Sequence, residues 1–160
     1  MDFSLVPVAM PQGANVIIGQ SHFIKTVEDL YEVMVTTVPG AKFGLAFNEA
    51  SGARLVRTEG NDDDLVRAAT ETALAVGAGH TFVLFVRDAY PLNVLDRVKG
   101  CPEVCRVYCA TANPLEVIVC ETSQGRGVMG VIDGQSPVGV ERDPDRQWRR
   151  DFLRKIGYKR

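Results

Sequence analysis

The segment Thr81–Arg87 (TFVLFVR) narrows the possible folds more than any other stretch of this chain. Both of its alternating side-chain sets are apolar, so as a strand it must be covered on both faces. Its run Phe82–Val86 is the longest strictly apolar stretch, far short of the roughly 20 residues that cross a bilayer. It therefore reads as a central strand with helices layered over it.

Around this strand the pattern alternates. Asn15–Gln20 (NVIIGQ) reads as a short buried strand. A helix follows from Thr26-x-x-Asp29, a capping-box spacing with Asp in place of Glu, and stops at Pro39-Gly40. Ala41–Ala50 reads as a strand, and Ser51-Gly52-Ala53 links it to another at Arg54–Thr58. The acidic stretch Asn61–Asp64 opens a helix that Gly77-Ala78-Gly79 ends. Pro91 starts a short helix with Leu92, Leu95 and Val98, and Gly100 closes it. Val104–Ala110, Leu115–Thr122 and Gly127–Asp133 are three more strands, and Asp143–Ile156 is a last helix striped by Trp148, Phe152 and Ile156. This order predicts an α/β fold: a mixed β-sheet with helices packed on its faces, a three-layer sandwich. No repeat, linker or low-complexity stretch divides residues 1–160, which read as one domain.

Composition excludes a disordered or fibrous chain, since 46% of residues are hydrophobic and 24% charged. Met1-Asp2-Phe3-Ser4 has neither a basic start nor an apolar run, so a cytoplasmic protein with no membrane segment is expected. Charge is uneven: residues 1–141 carry 10 basic and 17 acidic side chains, or −7, and residues 142–160 carry 8 and 3, or +5. A basic tail helix can meet nucleic acid or an acidic neighbour, or be a solvated face. RNA binding needs exposed aromatics that the sequence does not locate. Cys101, Cys105, Cys109 and Cys120 form no C-x-x-C pair and lie far from His22 and His80, which argues against zinc. The last three sit in strand-like apolar runs and read as buried, reduced thiols.

Four polar clusters interrupt the apolar runs. Gly19–Thr26 (GQSHFIKT) lies between a strand end and a helix start, where free N–H groups attract anions and His22 and Lys25 add donors. Gly125-Arg126-Gly127-Val128-Met129-Gly130 spells G-x-G-x-x-G, but strand-like residues follow it, so a dinucleotide-binding loop is excluded. With bare backbone at Gly125 and Gly127, Arg126 can clamp a phosphate or simply lie solvated on a hairpin. Ala110–Pro114 (ATANP) puts Asn113 at a strand end, where an amide suits the edge of an adenine or a ribose, or merely makes a turn. Glu49, Glu121 and Asp133 are acids at strand ends, able to hold Mg²⁺ beside bound phosphates or to stay solvated.

The strings GQSHFIKT, ATANP and GRGVMGVIDG, together with Gly13–Gln20, Pro39–Phe47, Gly77–His80 and Phe152–Tyr158, resemble the small prokaryotic family called adenosine-specific kinase. The resemblance runs over nearly the whole chain in order. It implies a compact α/β sandwich assembled as a homo-oligomer built on trimers, with an adenine-nucleotide site near the subunit interface. At matching positions it implies ligand contacts from His22, Lys25, Asn113, Gln124 and Arg126.

Two classes of function fit these residues. An enzyme moving a phosphoryl group from ATP to adenosine would need Mg²⁺, a clamp from Lys25, Arg126 and the Gly125–Gly130 backbone, and a base such as His22 or Asp133. A non-catalytic module binding AMP or a related adenosine compound needs the same clamp without base or metal. No P-loop, VAIK, HRD or DFG motif is present.

Overall fold

Every strand pair in this protein is antiparallel. The computed structural model describes residues 1–160, in the order β1 (Asp2–Val8), β2 (Asn15–Ser21), α1 (Thr26–Thr37), β3 (Lys42–Asn48), β4 (Val56–Gly60), α2 (Asp63–Val76), β5 (Thr81–Arg87), α3 (Pro91–Lys99), β6 (Val104–Thr111), β7 (Leu115–Glu121), β8 (Arg126–Asp133) and α4 (Asp143–Lys155). Five strands form the main sheet, ordered β4-β3-β5-β2-β6, and three form a second sheet, β1-β7-β8.

β5 is the middle strand of the main sheet, and all its residues but Arg87 are buried, as its two apolar faces require. One set of its side chains, with Ile17, Phe43, Leu45 and Phe47, packs under α1 and α3. The opposite set, with Val16, Ile18 and Ala46, packs under α2 and the inner face of the second sheet, which supplies Val6, Val117 and Val119. The three-layer sandwich is thus present, with a small sheet sharing one outer layer. Helical crossovers carry β2 to β3 and β5 to β6 in matching directions, as parallel βαβ units do. β5 then slots between β2 and β3, and β2 between β5 and β6, so each neighbouring pair runs antiparallel.

Local chemistry explains most element ends. The Asp62 side chain accepts from Leu65 N at 3.0 Å and caps α2, and Gly77 closes it in the left-handed region at φ 62°. Gly44 lets α2 lie directly on β3, because a Cβ there would run into the Leu65–Val66 backbone. The capping box expected at Thr26 does not form. Lys25 takes the cap position, and the buried Thr26 hydroxyl bonds Phe23 O at 2.5 Å and Ser21 Oγ at 2.5 Å instead. In α3 the buried residues are Val94 and Val98, and Leu92 faces solvent. Among the thiols, Cys101 and Cys109 are buried and Cys120 half-buried, but Cys105 is exposed, correcting its expected burial. β1, an edge strand holding Pro7, has no counterpart in the sequence reading. No helix is long and apolar enough to cross a membrane.

Candidate functional site

A cleft of about 660 Å³ opens between the β3–β4 turn, the C-terminus of α2 and the β7–β8 turn. Its size suits a small-molecule ligand, since such pockets hold roughly 300–1,000 Å³. It gathers Glu49, Gln124, Gly125, Arg126 and Gly127 of the expected site residues, and adds Arg54. Arg54 sits in the left-handed region at φ 51°, which turns the hairpin tip toward the cleft. No atom lies within 4 Å of where a Cβ would stand at Gly125 or Gly127, so bare backbone meets open space there.

Arg126 anchors the cleft wall. Its Nε donates to Glu121 Oε2 at 2.9 Å, and its Nη1 donates to Ala75 O at 3.2 Å, in the last turn of α2. That carbonyl belongs to the negative end of the helix dipole, which by itself would repel a phosphate. The guanidinium offsets this charge while facing the cleft. Glu49 is also occupied: its Oε2 accepts from Arg57 Nε at 2.9 Å and from Nη2 at 2.5 Å. The cleft is therefore bordered by arginine–carboxylate pairs, with Arg54 in no such pair.

The sequence matches the family model described as adenosine specific kinase over residues 6–159. The chain belongs to that family. It is also similar to the PH1918 protein of Pyrococcus horikoshii OT3, whose crystal structure superposes with a TM-score of 0.95 at 45% identity. That match covers 99% of this chain and 98% of the other. No curated protein matches it.

The remaining expected residues of this adenosine-specific kinase family member fall into three other places. His22 is exposed just beyond β2, at the same end of the main sheet as Glu49 and two strand spacings from β3, or about 10 Å. Lys25 lines a second groove on the far side of β4, where Val56 borders both depressions. Its Nζ is held by Asp29 at 2.7 Å and stands 3.6 Å from Glu103. These carboxylates occupy the cation expected for a phosphate at this helix start. Asn113 and Asp133 mark the opposite end of β8 from Arg126, about 23 Å away along an eight-residue strand. There Asp133 Oδ1 accepts from Thr111 Oγ1 at 2.7 Å and Asn113 Nδ2 at 3.1 Å, pinning the corner where the chain leaves one sheet for the other.

Sequence reasoning missed Arg54, Arg57 and Glu103. Nothing marks Arg54 or Arg57 in the sequence, because hairpin pairing alone brings them to Glu49 and the cleft. Glu103 is buried at 1% exposure, and neither carboxyl oxygen has a hydrogen-bond partner. Burial and the Asp29 carboxyl beside it raise its pKa, while the Lys25 hydrogen bond lowers that of Asp29. Its backbone carbonyl accepts from His22 N at 3.0 Å and Ser21 Oγ at 2.9 Å, so the segment holds the loop that carries His22.

No group of three or more His, Cys, Asp or Glu side chains is gathered for a metal. The residues present fit Mg²⁺ only as a companion of bound phosphates, which asks for one or two protein carboxylates. Glu49 and Glu121, the acids expected to hold it, are each already beside an arginine.

Proposed function

We propose that this chain binds adenosine and its phosphates in the cleft and transfers a phosphoryl group from ATP to adenosine, giving AMP and ADP. The observation that carries the reading is the cleft itself. Two arginines, an amide and two bare glycines converge there, in a chain of a family named for adenosine. Arg126 and Arg54 would neutralise phosphate charge, and the Gly125–Gly127 backbone would let the phosphates approach closely.

In the transfer, a ribose hydroxyl oxygen bonds to the γ-phosphorus while the bond from that phosphorus to the β–γ bridging oxygen breaks. ADP leaves, and the hydroxyl proton passes to a base. His22 is the better-placed candidate, at the cleft end of the main sheet, and Asp133 could serve only from another subunit. Mg²⁺ arriving with ATP would supply further charge neutralisation, with Glu49 or Glu121 as its protein ligand. We take the protein to work in the cytoplasm, where these nucleotides are, as a homo-oligomer.

A second reading, an AMP-binding module without catalysis, is favoured by one observation: no imidazole lines the cleft, and its carboxylate is tied to arginine. Calorimetric titration with AMP, repeated with Mg-ATP plus adenosine while AMP and ADP are assayed, separates the two. Binding with turnover supports the kinase, and His22→Ala should then remove turnover with affinity little changed. Binding without turnover supports the module. No binding of either ligand rejects the cleft as the site.

A further inference from the structure

Residues 135–160 contain no buried side chain, and only Leu153 is half-buried. Val138 and Val140 are fully exposed on the connecting segment. On α4, Trp148 stacks on Phe152 with ring centroids 5.3 Å apart, yet Trp148 remains 66% exposed. A free helix of this length is marginal in water, so its apolar stripe needs cover, and its own chain provides little: Tyr158 meets Tyr90 edge-on at 6.5 Å and Leu153 is half-buried. The same molecule has a second bare apolar surface. On the outer face of the β1-β7-β8 sheet, exposed Phe3 and Leu5 of β1 lie beside half-buried Ile118, which pairs with Leu5; exposed Ile132 pairs with Glu116, and Met129 bulges from β8 nearby.

We propose that the arm formed by residues 135–160 seats on the outer face of the β1-β7-β8 sheet of a second copy of this chain. Three observations select that occupant. Both surfaces are largely apolar and exposed. Their charges are complementary: the arm carries 8 basic and 4 acidic side chains, or +4, the rest of the chain 10 and 16, or −6, and the sheet face itself sets Glu116 among its apolar side chains. The arm's 26 residues also match the roughly 20–30 per side of a standard interface. Nucleic acid is the weaker occupant, since arm acids already hold arginines: Arg149 pairs with Glu141 at 2.7 Å and Arg146 with Asp143 at 2.8 Å. Met129 and Cys120 belong both to the sheet and to the cleft lining, so a seated arm would also border the neighbour's cleft. The arm contact does not depend on what the cleft binds.

Trp148 is the only tryptophan, which makes it a direct reporter. The experiment measures its emission and acrylamide quenching together with molar mass by light scattering, on the full chain and on Leu5→Glu and Trp148→Phe variants. The proposal expects an oligomer with blue-shifted, quench-protected Trp148. Leu5→Glu, remote from the arm in its own chain, should red-shift that emission and lower the mass. Trp148→Phe, with circular dichroism unchanged, should keep the oligomer and lose only the signal. A monomer overturns the proposal, whether Trp148 is exposed or folded back on its own body. An oligomer with exposed Trp148 overturns it, as does one whose Trp148 ignores a folded Leu5→Glu change. A monomer that gains protection only on adding an oligonucleotide overturns it in favour of nucleic acid.

Discussion

Arg126 is committed before any ligand arrives, because Glu121 and the Ala75 carbonyl already hold its guanidinium. A phosphate would share these donors, which is why Arg126→Ala should discriminate between ligands. Affinity for AMP should fall roughly 10–100-fold, the worth of a charged hydrogen bond, while adenosine affinity changes little. Equal losses in a calorimetric titration would remove the clamp assignment. Glu103 makes a second prediction through protonation. Its pKa is raised by burial, so the folded protein keeps a proton that the unfolded chain releases. Stability contributed there is lost as pH rises from the ordinary glutamate range through the raised value. Asp29 acts oppositely: its lowered pKa gives stability above the ordinary aspartate range that is lost on acidification. Glu103→Gln should therefore raise Tm at pH 8 more than at pH 4 in thermal melts. A Tm lowered more at pH 8 than at pH 4 would mean that the Lys25 ion pair outweighs burial. The thiols divide by position as well. Cys109 is buried with its pKa pushed up to about 11, and burial also raises that of Cys101. Alkylation of native protein at neutral pH should label exposed Cys105 first and Cys109 only on unfolding, as peptide mass mapping would show.

At the scale of elements, α2 lies on β3 so closely that only a glycine fits between them at residue 44. Gly44→Ala should cost about 1–3 kcal/mol or more, since a methyl there meets helix backbone that cannot rotate away. Chemical denaturation would measure it, and a neutral effect would show that α2 can shift. α2 was legible in the sequence because its two ends carry their own signals, Asp62 and Gly77. β5 was legible because no exposed strand can be TFVLFVR. β1 was not: its inward Val6 and Val8 and outward Phe3 and Leu5 leave no clean alternation, and Pro7 argues against a strand. The start of α1 misled for a different reason. Thr26 is buried, and its hydroxyl is drawn to Ser21 and Phe23 by tertiary packing that a four-residue pattern cannot show. The candidate site was half legible. Gly125-Arg126-Gly127 and Glu49 do meet in one cleft, but Asn113 and Asp133 lie at the far end of β8, a separation set by strand direction.

For the whole molecule, pairing distance along the chain is the property with the widest reach. β1 pairs with β7 from Asp2↔Glu121 to Val8↔Leu115, so the first strand made meets its partner more than a hundred residues later. Such non-local pairing slows folding, because loop closure precedes the contacts that reward it. At about 5–20 residues per second of synthesis, roughly 5–25 s separate the emergence of the two strands. Throughout that interval Phe3, Leu5, Val6 and Val8 travel with no sheet to join. A chain interrupted before residue 121 would carry them indefinitely, a ready substrate for chaperones and for aggregation.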